Sequence, residues 1–243
     1  MHTPTALLTT AAVAVAGCAT ATADHRSTVA ASALPPALPP ASRFVRTVDN
    51  PWFPLEPGTV LTYKGNDEGT PATDVFRVTG RTKPILGIRA TVIDDRVYHR
   101  GRLAERTSDW YAQDKAGNVW YLGEKTATLK ANGTVESTEG TWRAGVDGAR
   151  AGIFMPAQPR VHDGGWQEYY KGHAEDRYEI LGLTTKVRTP AAASNAAMLT
   201  QETTPLEPGV VDHKVYVRDV GTVTEETVKG GHERFRLVSI RRR

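Results

Sequence analysis

The side chains with most capacity for chemistry fall in two places. One is His162-Asp163, followed by Glu168, His173, Glu175 and Asp176. Imidazole and carboxylate can together hold a divalent ion or act as an acid/base pair. His162, Asp163, Glu168 and His173 are therefore the candidate metal ligands, and Glu168, Asp163 and His173 the candidate groups of a hydrolase. Their spacing runs loosely over two turns and a strand and matches no ligand motif, and carboxylates at turn edges more often solubilise a surface. The other place is Asp109 to Glu124, which packs two of the five tryptophans and two of the eight tyrosines into sixteen residues. Flat rings cover apolar faces of sugars and amphiphiles, and carboxylates accept hydrogen bonds from hydroxyls. Tyr111, Tyr121, Trp120 and Asp109 are the candidate ligand-binding residues.

Much chemistry is excluded by what is missing. There is no Gly-x-Ser-x-Gly elbow, no His-Glu-x-x-His, and no dinucleotide or phosphate-loop glycine pattern. Cys18 is the only cysteine, so the body beyond it has no thiol nucleophile and no thiolate metal ligand. The reading is a non-enzyme without a cofactor. The net charge of +3 is modest, and its basic residues are interspersed with acidic ones except at Arg241-Arg242-Arg243, which reads as a solvated tail. No nucleic-acid partner is expected.

The elements that must position these residues begin after the first 42. Ala6 to Ala16 is apolar but far short of the roughly 20 residues that cross a bilayer. It leads into Val15-Ala16-Gly17-Cys18, which resembles the lipobox of bacterial lipoproteins, although Met1 to Thr5 carries no Lys or Arg. The resemblance implies a signal peptide over 1–17, acylation (palmitate) of Cys18 and a membrane anchor, which two or three acyl chains make stable. Residues 18–42 are rich in Ala, Pro, Ser and Thr and read as a tether. Residues 43–243, about 200 in all, suffice for one substantial core.

Within that body the pattern is mainly β. Short β-branched and aromatic runs alternate with polar residues and stop at Gly, Pro or Asp, as at Thr59–Lys64, Asp74–Thr79, Ile88–Asp94, Arg96–His99, Trp166–Lys171, Glu175–Leu181, His213–Arg218 and Arg234–Ile240. The small-residue stretch Pro190–Ala197 reads as a loop, and Gly140–Gly152 as an ordered loop too rich in glycine for a helix. No window shows sustained helical spacing. The expected fold is a single domain of antiparallel strands, a half-open barrel or a sandwich, with few or no helices. Pro54-Leu55-Glu56-Pro57-Gly58 recurs as Pro205-Leu206-Glu207-Pro208-Gly209, which predicts the same turn twice rather than a duplicated domain.

The register of the aromatic hairpin can be read ahead. A Lys115-Ala116-Gly117 loop with a left-handed Gly117 pairs Asp114 with Asn118, Ala112 with Trp120 and Trp110 with Leu122. Tyr111 then faces Tyr121 on the other side. The simplest assignment puts the Trp face in the core and the Tyr face in solvent.

Asp109 to Glu124, with Ala144-Gly145-Val146-Asp147-Gly148-Ala149, Met155-Pro156-Ala157 and Gln167-Glu168-Tyr169-Tyr170, resembles an uncharacterised group of bacterial, largely actinobacterial, secreted proteins and lipoproteins. The likeness runs from Asn50-Pro51 to the last strand; it implies an envelope location and brings no activity. Tyr216 to Val223 is similar to a strand-Gly-strand step in envelope proteins built as curved antiparallel sheets, including carriers of lipoproteins and lipids. The functional expectation is a lipid-anchored, extracytoplasmic cell-envelope protein binding an amphiphile, a glycan or a protein partner. The alternatives are a wall-glycan hydrolase using the Asp, Glu and His residues of 162–176, and a scaffold or adhesin without a pocket.

Overall fold

The computed structural model describes residues 34–242; the expected signal peptide, Cys18 and most of the expected tether lie outside the described residues. After a single 3-10 turn at Ala41–Arg43 the chain forms fifteen strands. They are β1 Val60–Asp67, β2 Thr70–Ile85, β3 Ile88–His99, β4 Arg102–Gln113, β5 Val119–Leu129, β6 Val135–Ser137, β7 Trp142–Arg143 and β8 Arg150–Met155. There follow β9 Gly164–Trp166, β10 Glu168–Tyr169, β11 Arg177–Arg188, β12 Ala193–Thr203, β13 Val211–Val217, β14 Gly221–Lys229 and β15 Arg234–Arg241.

All pair antiparallel in one sheet, ordered β10-β8-β5-β4-β3-β2-β1-β15-β14-β13-β12-β11-β9, with β6 and β7 added to β5. The two ends of that order are one stretch of chain. β9 pairs with β11 and β10 pairs with β8, and Gln167 between them carries the chain from one edge to the other. The sheet is thereby rolled into a nearly closed barrel, which leaves little free edge. The seam depends on Gly152, where a Cβ would lie 2.2 Å from the Trp166 carbonyl oxygen and 2.6 Å from that of Gln167.

Local sequence explains the long strands of the first half. The two-residue links Glu68-Gly69, Leu86-Gly87 and Arg100-Gly101 have positive φ at both positions, which is the hairpin turn matching the twist of paired strands. The two Pro-Leu-Glu-Pro-Gly copies do make one turn chemistry: Thr59 N donates to Glu56 O, Val210 N to Glu207 O, and Gly58 and Gly209 have φ of 91° and 103°. Their side chains part company, with Leu55 and Glu207 buried but Glu56 and Leu206 exposed.

Three expectations change. Ala193–Ala197 is the start of a strand and not the tail of a loop, because β11 supplies a ladder along it, β13 joins from Met198 onward, and Ala197 and Met198 are fully buried. The strand expected over Trp166–Lys171 is broken at Gln167 by the seam. The body also starts inside the proline-rich stretch, where Leu38 and Ala41 pack against the core.

Residues Val48 to Thr59 close one end of the barrel. They are held at the β4–β5 tip by Gln113, whose Oε1 accepts from Asp49 N and Asn50 N at 2.9 and 2.8 Å, and by Asn50 Nδ2 donating to the carbonyls of Gly117 and Pro156. Across the mouth, Asp219 N in the β13–β14 turn donates to Pro51 O at 2.7 Å, and the Arg218 guanidinium lies over the Trp52 ring at 4.6 Å. Phe53 points inward against Phe154 and Tyr111, ring centroids 4.5 and 5.2 Å away.

Candidate functional site

The aromatic hairpin folds with the expected register from its turn to Tyr111. Asp114 N donates to Asn118 O at 2.9 Å, Gly117 has φ 96°, and Ala112 and Tyr111 face Trp120 and Tyr121. A bulge at Leu122-Gly123, opposite Trp110, then replaces the expected Trp110–Leu122 pair and sets Asp109 directly opposite Glu124. The assignment of faces needs correction. Trp110 and Trp120 are buried, but on the outside of the barrel, beneath Phe44 and the 144–149 loop. Tyr111 and Tyr121 do not face solvent: their exposures are 0% and 1%, and their rings stack at 4.6 Å inside the barrel. A barrel has no solvent face on its inner side, so alternation separates lumen from wrapping rather than core from water.

The outer face is satisfied. Trp120 Nε1 donates to Asp114 Oδ2 at 2.8 Å, and the same carboxylate accepts from Ala116 N, Asn118 N and Asn118 Nδ2. Burial opposes it, but these donors hold the Asp114 carboxyl below its ordinary value.

The lumen is different. Among the described residues twelve Asp and Glu are buried against one lysine, Lys214, and no arginine, and most of those acids point inward. Asp74 on β2 faces Tyr63 on β1; Asp95 on β3 faces Thr107 on β4; Asp109 faces Glu124; Lys214 on β13 faces Glu225 on β14. Lys214 Nζ lies 2.7 Å from Glu202 and 3.4 Å from Glu225. Tyr121 donates to Asp109 Oδ1 at 2.8 Å, and Glu105 accepts from Thr126 and Thr107 at 3.1 and 3.2 Å. These donors are too few. Both oxygens of Asp74 and Glu124, and one each of Asp95, Glu105, Asp109, Glu225 and Glu233, accept no hydrogen bond from a donor group, and Glu168 has only the Trp142 indole and the Asp176 carboxyl beside it.

Burial therefore governs their protonation, with the neighbouring carboxylates adding to it. It pushes Glu105 up to about 8 against the pull of the Thr126 and Thr107 hydroxyls. Glu225 is pushed up to about 8, with Lys214 opposing. Asp176 is half-buried as a residue, but its carboxyl is enclosed and rises to about 7. Asp74, Asp109, Glu124, Glu168 and Glu233 are raised well above the usual carboxylate range, burial first and like charges second. Asp74 and Asp95 lie close enough to share a proton.

One cavity opens in this lumen, beneath Phe53. Its volume is about 40 Å³, room for about three waters at roughly 10–15 Å³ each. Phe53, Leu55, Leu61, Phe76 and Phe154 form an apolar wall; Asp74, Asp95, Lys214 and Glu225 form a polar one, with Tyr63 and Tyr111 at the join.

The histidine-carboxylate cluster does not converge. His162 lies on the surface, its Nδ1 3.2 Å from Glu179 Oε1, and His173 pairs likewise with Glu139 at 2.8 Å. The Asp163 carboxylate accepts from Arg160 N. Glu168 alone of the four is inside, where Asp176 is its neighbour. Of the hairpin candidates, Tyr111 lines the cavity, Asp109 and Tyr121 lie deeper in the lumen, and Trp120 faces outward.

The residues missed in the sequence are Asp74, Asp95, Lys214 and Glu225. Each sits two positions from an inward-facing apolar residue: Asp74 from Phe76, Asp95 from Ile93 and Val97, Lys214 from Tyr216, Glu225 from Val223. A charge at core parity was the available signal.

No protein-family model and no curated protein matches the sequence. Among solved structures, the chain is similar to a "putative exported protein with YmcC-like fold" from Bacteroides fragilis, at 15% identity and TM-score 0.47, over 79% of this chain and 99% of that one. It is also similar to a "putative lipoprotein" from Parabacteroides distasonis, at 12% identity and TM-score 0.42, over 78% and 98%. At these values the likeness is one of outline and brings no activity with it.

Proposed function

We propose that the protein is a lipid-anchored, extracytoplasmic cell-envelope protein that binds a small amphiphile in the barrel lumen, without catalysis. The observation that carries this reading is the cavity beneath Phe53, which has an apolar wall on one side and unpaired buried carboxyls on the other. A site of that make-up orients a molecule with one polar and one apolar end. At about 40 Å³ the cavity admits only the polar end, so the rest of the ligand must enter through the mouth and move Phe53 aside. The Val48–Thr59 segment is suited to that role, since side-chain and single backbone hydrogen bonds, rather than a full ladder, hold it across the opening. Anchoring draws its support from Val15-Ala16-Gly17-Cys18.

Native mass spectrometry of the protein gently extracted from the cells that make it tests the binding. The expected result is a bound small molecule, lost when Phe53→Ala opens the mouth and the preparation is washed. A protein that carries nothing, and takes up no amphiphile as wild type or Phe53→Ala, would refute it. Labelling with a fatty acid tests the anchor: label should enter the wild type and be absent from Cys18→Ala.

The hydrolase reading draws on Glu168 and Asp176, which meet inside the barrel. Neither lines the cavity, so a glycan would need a second opening to reach them.

A further inference from the structure

We propose that the lumen site selects a cationic amphiphile, an alkylammonium, whose ammonium group is held by Asp74, Asp95 and Glu225; this rests on the lumen-binding reading above. The argument is a count of donors and acceptors around one cavity. As carboxylates, Asp74 has two oxygens without a donor, and Asp95 and Glu225 have one each. All three residues line the cavity and are at most 6% exposed. Leaving a buried acceptor unmade costs about 1–3 kcal/mol, more when it is charged. Only a proton held between Asp74 and Asp95, or a ligand that donates, relieves them.

Of the possible donors around the cavity only the Tyr111 hydroxyl is without a partner, and a hydroxyl accepts as well as donates. Lys214 is held between Glu202 and Glu225, so it does not call for an anion. The Tyr63 hydroxyl donates to Thr222 O at 2.9 Å. An ammonium head displaces the protons that burial keeps on these carboxyls, whereas a carboxylate or phosphate head adds negative charge to a cavity whose one lining cation, Lys214, is already held. A sugar head brings as many acceptors as donors and is too large for about 40 Å³. An ammonium group brings three donors, no acceptor and one positive charge, in a volume close to that of a water or two. Charge-assisted bonds to carboxylates are the stronger kind, and they are needed to offset the desolvation of a buried cation. The alkyl part then lies along Leu61, Phe76 and Phe154, in the place of the Phe53 ring.

Titration calorimetry of the purified full-length protein tests this, with hexylammonium, hexanoate and hexyl glucoside as probes and the solubilising detergent alone as blank. Hexylammonium is expected to bind at least tenfold more tightly than hexyl glucoside, with no heat from hexanoate. Asp74→Asn and, independently, Glu225→Gln should each weaken hexylammonium at least tenfold while the protein still unfolds cooperatively. Hexanoate or hexyl glucoside binding as tightly as hexylammonium would overturn the selectivity and leave a lumen site of another kind. Hexylammonium binding untouched by both variants would also overturn it, by locating the amine elsewhere. No binding of any probe to wild type or Phe53→Ala would remove the lumen site itself and the inference with it.

Discussion

The two faces of the aromatic hairpin are equally buried and physically opposite. On the outer face Trp120 is packed against Phe44, and its indole N–H has a carboxylate that four protein donors, itself included, satisfy. On the inner face Tyr111 and Tyr121 stack beside Asp109 and Glu124, and of those four side chains only the Tyr121–Asp109 pair is joined by a hydrogen bond. The outer face has the organisation of a protein interior, where buried polar atoms are matched. The inner face stores electrostatic cost. A chain gains no stability by lining a barrel with unpaired acids, so the difference separates a structural surface from one kept for use.

Breaking the outer face should have the largest effect. Trp120→Ala removes a buried indole and one of the four donors to Asp114, and large aromatic truncations in cores cost about 3–5 kcal/mol. Thermal unfolding should show a midpoint lower by about 6–20 °C, at roughly 2–4 °C per kcal/mol for a domain of this size.

The inner face should answer to pH instead. Glu105 and Glu225, at about 8, and Asp176, at about 7, bind protons more tightly folded than unfolded. Stability from such groups is fully present below their unfolded values, near 4–4.5, and is lost as pH rises through 7 to 8. The midpoint is expected to fall by several degrees between pH 5 and pH 9. Lys214, raised by Glu202 and Glu225 against the opposing effect of burial, titrates above that window and does not offset the fall. Glu105→Gln keeps the contacts with Thr126 and Thr107 but cannot ionise, so it should flatten part of this slope: little change at pH 5, a higher midpoint than wild type at pH 9.

Smaller effects sharpen the contrast further. Tyr121→Phe deletes the one donor to Asp109, and a buried acceptor so stranded costs about 1–3 kcal/mol; the loss should be greater at pH 9 than at pH 5. His162→Ala breaks only an exposed pair and should change stability by less than about 0.5 kcal/mol; His173→Ala also removes a ring stacked on Tyr170 and should cost slightly more.

Much of the architecture was legible because it is local. Alternation revealed the strands, Gly117 and Asn118 gave the hairpin register, and the Pro-Gly pairs gave two identical turns. What lay hidden is non-local. Nothing within Gly164–Tyr169 says that its two halves pair with opposite edges of one sheet, and nothing within Val48–Thr59 says that it spans a mouth. The Ala-rich start of β12 has weak strand preference and is a strand because β11 pairs with it. The lumen acids were misread for a related reason. A carboxylate beside a tyrosine suggests a wet surface, and Asp109 with Tyr111 was assigned to solvent; only closure of the barrel turns that face inward.

The most direct test of the difference between the faces is carbon-13 NMR of the Asp and Glu side-chain carboxyls, followed from pH 4 to pH 10. The expected result is a set of carboxyls that keep their protons at pH 7, with Glu105 and Glu225 losing theirs near pH 8 and Asp114 already ionised at the acid end of the range. If every carboxyl signal titrates below pH 5 while the fold persists, the lumen is wet and ionised, and the contrast between the two faces is wrong.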